Sequence, residues 1–413
     1  MAITIAFSDI QHARIRRTAV TLCTFIVLVI LFLTISAARA QAAGEAVFRC
    51  PTSVVLSGNA LLFIEHTAGE AIDFGLQCHD VQLLLALDVD EGQVFCGLAS
   101  PRWGPGRSGS LVLSGNVNPM PMVGYRINRG ASSYVRLLGM MERNGDRRLF
   151  GHRLEYSPRS TIAIGISETA VIAENASLLL YWPFPGLPIY AIQHVLAQRD
   201  SSLNRLVNVN VGVDFRAKFA FPASVMTDNV EVYGELFVDD AQGKVANRSS
   251  IPDWFGGLAG VDITQIPGLP GLEVNLEYVG ITNYVYSHSN PQVDYTFEGA
   301  IIGHPLGPDA DSLILTVRVR ASDSTELTLA GSTDRHGEGR IGHPWKREYG
   351  RNDLFLSGVV EKVSKLEVGL EHSLTERLSL KAGAGYCARR NYGHVQGVSW
   401  EGWSASIGIE ARL

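Results

Sequence analysis

At 413 residues, 46% hydrophobic, 18% charged and 8% aromatic, the chain carries enough apolar and aromatic content to bury a large core, which excludes intrinsic disorder. A formal charge of −6 at neutral pH argues against nucleic acid as a partner, since that needs a basic surface. Forty-two glycines call for many turns.

The first forty residues differ from the rest. Arg14, Arg16 and Arg17 precede an apolar run from Ala19 to Ile35, followed by Ser36, Ala37, Ala38, Arg39 and Ala40. A basic start, a greasy centre and small residues at Ala38 and Ala40 predict a signal peptide over residues 1–40, cleaved before Gln41. An uncleaved anchor is the alternative, because the run is near the lower limit for a spanning helix. Cleavage removes four arginines and Asp9, a net +3, so the mature charge becomes −9. Four cysteines remain, Cys50, Cys78, Cys96 and Cys387, in an oxidising compartment. Three full pairings are possible. One or two bonds among the first three are expected, with buried free thiols as the alternative.

Residues 41–100 form an N-terminal segment, read either as the first strands of a barrel or as a small cysteine-bearing subdomain. Beyond it no apolar stretch is long enough for a spanning helix. Apolar spacing at Ile189, Ile192, Val195 and Leu196 predicts a short helix within Pro188 to Asn204. Period two then takes over. From Asn208 to Phe221, Val209, Val211, Val213, Phe215, Ala217, Phe219 and Phe221 fall on one face, against Asn208, Asn210, Asp214, Arg216 and Lys218. Ala241 to Gly271, with Pro252, Pro267 and Pro270, reads as a long loop around Trp254 and Phe255. Alternation returns at Leu272 to Tyr278, against Glu273, Asn275 and Glu277, and again at Leu313 to Val319, Leu366 to Leu370, Leu378 to Tyr386 and Trp403 to Leu413. Such runs reach the ~9 to 11 residues that a tilted strand needs to cross a bilayer. A soluble sandwich also alternates. Long polar connections, Gly331 to Asn352 and Cys387 to Gly397, and a final alternating strand favour a membrane barrel. The expected fold is all-β: an antiparallel transmembrane β-barrel of roughly 14 to 18 strands over residues 101–413, with a short helix and long loops.

Several segments carry familiar wording. Arg102-Trp103-Gly104-Pro105-Gly106 runs into Ser110 to Ser114 and Asn116; Leu149 to Tyr156 and Ile164 to Val171 follow; then come Tyr233 to Asp240 and, after Asn283, Tyr284 and His288, Gly303 to Asp311. In this order they resemble the capsule assembly Wzi family. The resemblance implies an outer-membrane barrel that binds capsular or extracellular polysaccharide and helps retain it at the cell surface, without catalysis or cofactor. Its other implied partners are outer-membrane lipid and the barrel-assembly machinery.

Sugars are bound by flat aromatic faces and by planar polar groups that bond neighbouring hydroxyls; acidic sugars add a demand for arginine. Arg102, Trp103 and Arg107 supply both, although Gly104 to Gly106 also fits a plain tight turn and Trp103 an interfacial belt residue. His304, Asp309 and Asp311 read as a metal cluster or, preferably, as loop residues whose carboxylates cap backbone amides. With Asn283, Tyr284, His288 and Arg335 these complete the candidate polysaccharide contacts. Glu235 and Asp239 share one strand face about 13 Å apart at ~3.3 Å per residue, too far for a glycosidase pair, so a lumen-facing acidic row is expected. Arg153, Glu155, Arg318 and Arg320 read as interior polar residues of a plugged barrel. No serine-hydrolase signature, zinc motif or phosphate loop occurs. The rival functions are a transport porin and an outer-membrane hydrolase.

Overall fold

Alternation gives each strand one apolar and one polar face, and in a bilayer every backbone amide needs a partner, so the strands must close on themselves. The computed structural model has this closure. It describes residues 52–67, 73–89, 92–142, 146–173, 188–189, 191–193, 203–219, 229–239, 254–266, 269, 271–346 and 354–412.

Sixteen of the described strands form one closed antiparallel barrel. The wall starts with β1 (Thr52–Thr67), β2 (Asp73–Val89) and β3 (Gly92–Ala99); a separate hairpin of β4 (Arg102–Trp103) and β5 (Leu113–Ser114) interrupts it. It resumes with β6 (Met120–Arg129), β7 (Ser132–Met140), β8 (Arg148–Arg159), β9 (Ile162–Ile172), β10 (Val207–Phe219), β11 (Asn229–Asp239), β12 (Trp254–Thr264) and β13 (Leu272–Ile281). After a second hairpin, β14 (Thr296–Phe297) with β15 (Ala300–Ile301), it ends in β16 (Ala310–Ser322), β17 (Thr325–His336), β18 (Glu361–Thr375), β19 (Leu378–Arg390) and β20 (Ser399–Arg412). β20 pairs back onto β1, Arg412 opposite Asn59 and Ser404 opposite Thr67. Residues 52–99 therefore supply three strands of the same wall.

The two rims differ. At one, short turns such as 130–131, 160–161, 323–324 and 376–377 join the strands; at the other lie the long connections 100–119, 282–309 and 337–360. Outer-membrane barrels keep short turns in the periplasm and long loops outside, which orients the chain.

Side-chain facing follows the alternation. Val213, Phe215 and Phe219 on β10 are 43%, 46% and 47% exposed on the outer wall, while Asn210 and Asp214 are buried. Phe221 lies outside the described residues. On β13, Leu276 and Tyr278 point out and Asn275 and Glu277 in. Arg153 donates to Asp214 and Glu155 across the lumen wall. The helix expected after Pro188 is present in its described parts: residues 191–193 are helical, and one helical turn, Leu203–Leu206, leads into β10.

The lumen departs from the expectation that charged wall residues fill it. In its outer half it holds an apolar core built by loops 100–119 and 282–309, which turn inward: Trp103, Leu111, Leu113, Tyr286 and Tyr295 join one cluster with Phe237, whose ring meets both tyrosines. Leu111-Val112-Leu113 must leave water, and burying each leucine is worth about 1.5 to 3 kcal/mol. Close approach needs small wall residues. A Cβ at Gly212 on β10 would run into Val112, and one at Gly151 on β8 would lie 2.9 Å from the Trp103 indole.

The expected disulfides need one correction. Cys96 and Cys387 are free thiols, Cys96 lying on β3 with Leu85 and Val123 as its strand partners. The strand register therefore surrounds it with apolar neighbours. The signal segment, Cys50 and the side chain of Cys78 lie outside the described residues.

Candidate functional site

Loop 100–119 enters the barrel as the β4–β5 hairpin, and its tip is received by two buried carboxylates on the wall. Glu235 on β11 accepts from Gly106 N at 2.8 Å, Leu111 N at 2.7 Å and Ser110 Oγ at 2.9 Å. Glu277 on β13 accepts from Arg107 N at 2.6 Å and Ser108 N at 2.9 Å. Four backbone amides thus meet two carboxylates, the arrangement that makes a hydrogen bond strong in a dry interior. Arg107 reaches deeper. Its guanidinium donates to Asp262 and Glu231 and lies 5.1 Å over the Tyr233 ring. Tyr233 in turn donates to Glu277 at 2.8 Å and accepts from Asn275 at 2.7 Å. Below the tip is a polar cavity of about 420 Å³, lined among others by Arg107, Lys218, Glu231, Asp262 and Arg318.

Loop 282–309 lies on the first loop and locks it. Tyr286 N donates to Asp239 at 2.6 Å; the hydroxyls of Tyr286 and Tyr295 donate to Leu111 O at 2.8 Å and Val112 O at 2.9 Å. The two tyrosine rings stack 5.7 Å apart at 15°. Together the loops occupy the outer part of the lumen and are bonded to its wall.

His304, Ser108 and Glu277 are in contact, and proton bookkeeping decides what they can do. Leu306 N donates to His304 Nδ1 at 3.2 Å, which assigns the ring proton to Nε2. Nε2 therefore donates to Ser108 Oγ at 3.0 Å, and Ser108 donates onward to Glu277. The imidazole has no lone pair facing the serine, so this is a loop anchor and not an activated nucleophile. Burial of His304 pushes its pKa down to about 4; Glu277 opposes the shift and Arg102 adds to it.

The other predicted residues scatter. Asp309, with φ of 57°, accepts from Gly339 N at 2.9 Å and from Ser357 N and Oγ at 3.2 and 2.5 Å, capping amides of loop 337–360. By alternation Asp311 shares the outward face of β16 with Leu313, and it meets Arg335 Nε at 2.8 Å and Tyr278 OH at 3.0 Å. His304, Asp309 and Asp311 point to three different places, and no metal-holding group of three occurs among the described residues. Asn283 and Tyr284 are buried, Tyr284 lying 6.1 Å from the Trp254 ring. His288 is half-buried and accepts from Asn290 N. Arg102 is exposed and donates to Gly106 O, whereas Trp103 sits in the lumen core and not in an interfacial belt. Glu235 and Asp239 do face the lumen, yet the pattern gave no sign that their partners are loop amides. The missed groups are Glu277, Glu231 and Asp262. For Glu277 and Asp262 the signal was a carboxylate on the inner face of a strand whose cross-strand neighbours offer no cation, whereas Glu231 faces Lys218 and gave none.

The family model described as capsule assembly protein Wzi matches residues 85–399. No curated protein sequence matches the chain. Among solved structures it is similar to Wzi of Escherichia coli, described as a carbohydrate-binding β-barrel of group 1 capsule assembly, at 16% identity and a TM-score of 0.56 over 86% of this chain and 84% of that one. It is also similar to OccK10 of Pseudomonas aeruginosa, at 8% identity and 0.51 over 87% and 99%. OprD of the same organism follows at 7% identity and 0.50 over 88% and 94%. At these identities the likeness is one of fold.

Proposed function

The chain belongs to the capsule assembly Wzi family, and from that premise we propose that it is an outer-membrane β-barrel that binds capsular polysaccharide on its outer face and helps hold it at the cell. The observation that carries this against the porin alternative is the pair of loops fastened inside the lumen. Glu235 and Glu277 fasten loop 100–119 through four backbone amides, and loop 282–309 is bonded over it. A barrel so filled offers its outer surface, not a channel. The buried candidates Trp103, Asn283, Tyr284, His304 and Asp309 shape that surface from within, while Arg102, His288 and Arg335 remain partly accessible for glycan contact. Many weak contacts along one polymer give avidity that a single site lacks. Binding occurs without catalysis, in keeping with the Nε2 proton that His304 presents to Ser108. Lipid contacts the outer wall, and the barrel-assembly machinery inserts it.

The test is a deletion strain of the encapsulated host. Capsule released into the medium and restored to the cell by complementation supports the reading; full retention without the protein overturns it. In planar bilayers the purified barrel should show no steady pore, and a stable large conductance would favour the porin.

A further inference from the structure

A second cluster stands at the outer rim, away from the plug, on residues that neither the motifs nor the plug uses. Arg389 on β19 faces Trp400 on β20 across the strand pair, and Tyr392 follows in the connection 391–398. The Tyr392 and Trp400 rings lie 6.3 Å apart at 27°, and the Arg389 guanidinium is 5.5 and 5.7 Å from their centroids. Three flat groups thus form a nearly equilateral triangle. Tyr392 is 44% exposed. The connection is held in shape from below: Asn391 donates to Val360 O at 2.9 Å and accepts from Gly397 N at 3.0 Å, and Gly393 N donates to Glu361 Oε2 at 3.2 Å. Such fixing lowers the ordering cost of binding.

Beneath the triangle lies a buried carboxylate that backs the arginine. Glu361, on β18, is only 8% exposed, and its Oε1 accepts no hydrogen bond; Arg389 Nε donates none. The two side chains approach at 3.5 Å as an ion pair without closing a hydrogen bond. A partly exposed guanidinium, its side chain 38% accessible, beside two aromatic groups matches a pyranose ring: its C–H face needs an aromatic plane, and its hydroxyls need a donor alongside, with Glu361 behind the guanidinium holding it in place. We propose that Tyr392, Trp400, Arg389 and Glu361 form a subsite for one pyranose residue of the capsular chain. The proposal rests on the polysaccharide reading above and gives it an address that the motif-bearing loops do not.

The experiment uses the full barrel in detergent and capsular polysaccharide extracted from the encapsulated host as probe. Binding is read by surface immobilisation, and folding of every variant by heat-modifiable migration on gels. Tyr392→Ala and Trp400→Leu should each weaken binding at least about tenfold, the equivalent of ~1.4 kcal/mol. Tyr392→Phe, which keeps the ring, should stay within about twofold of wild type, as should Val395→Ala on the same connection. Unchanged binding by folded Tyr392→Ala overturns the subsite and leaves the polysaccharide reading standing. Absence of binding by wild type, with capsule retained in the deletion strain, overturns both.

Discussion

Replacing Glu235 with glutamine tests whether the plug is held by carboxylate-to-amide bonds. The two oxygens of Glu235 serve Gly106 N, Leu111 N and Ser110 Oγ, all buried. In Glu235→Gln one oxygen becomes an NH2 group that cannot accept, so at least one backbone N–H is left buried without a partner, at about 1 to 3 kcal/mol. The surviving bonds lose their charge assistance, about 1 kcal/mol each. The sum is about 4 kcal/mol against the inserted loop, or roughly a thousandfold in the ratio of seated to released tip. Glu277 still holds Arg107 and Ser108, so the tip loosens and the barrel stays folded. Native-state hydrogen exchange reads this directly: protection of Gly106 and Leu111 should fall by up to about 10³ while the amides of β18 and β19 keep theirs. Transient conductance bursts should accompany it. If both loop amides exchange as in wild type and no openings occur, the carboxylates do not hold the plug.

Acid should weaken the same assembly through His304. Its folded pKa of about 4 lies below the ordinary 6.5, so the folded state keeps the ring neutral while a released loop takes up a proton. The contribution is complete above about pH 6.5 and is lost as pH falls towards 4, a total of about 3 kcal/mol. Thermal unfolding followed between pH 7.5 and 4 should show this slope, and His304→Gln should flatten it; an equal slope in the variant refutes the assignment. On the outer wall, Val213→Arg should cost about 2 to 4 kcal/mol if it sits near mid-membrane. Refolding into lipid vesicles at wild-type yield and stability would show that Val213 does not face the acyl chains.

The strand content, the faces of β10 and β13 and the barrel itself were legible in the sequence, because period-two alternation is a local property that each segment carries alone. Asn275 and Glu277 could be placed on the inner face from their neighbours Leu276 and Tyr278. The likeness of Arg102 to Asp311 to the capsule assembly family was legible for the same reason: motifs are contiguous. What alternation cannot register is a loop that folds into the lumen. Gly106 and Glu235 are 129 residues apart, and Arg107 and Glu277 are 170 apart. No spacing rule links them. Only the folded sheet, with β12 between them, sets β11 and β13 on one stretch of wall under the inserted hairpin, turning an acidic row into a receptor for backbone amides. It also sends Trp103 into the lumen and Asp311 to the outer wall, and it sets Arg389, Trp400 and Glu361 together on three neighbouring strands. The sequence determined which residues alternate; the tertiary structure decided what fills the space they enclose.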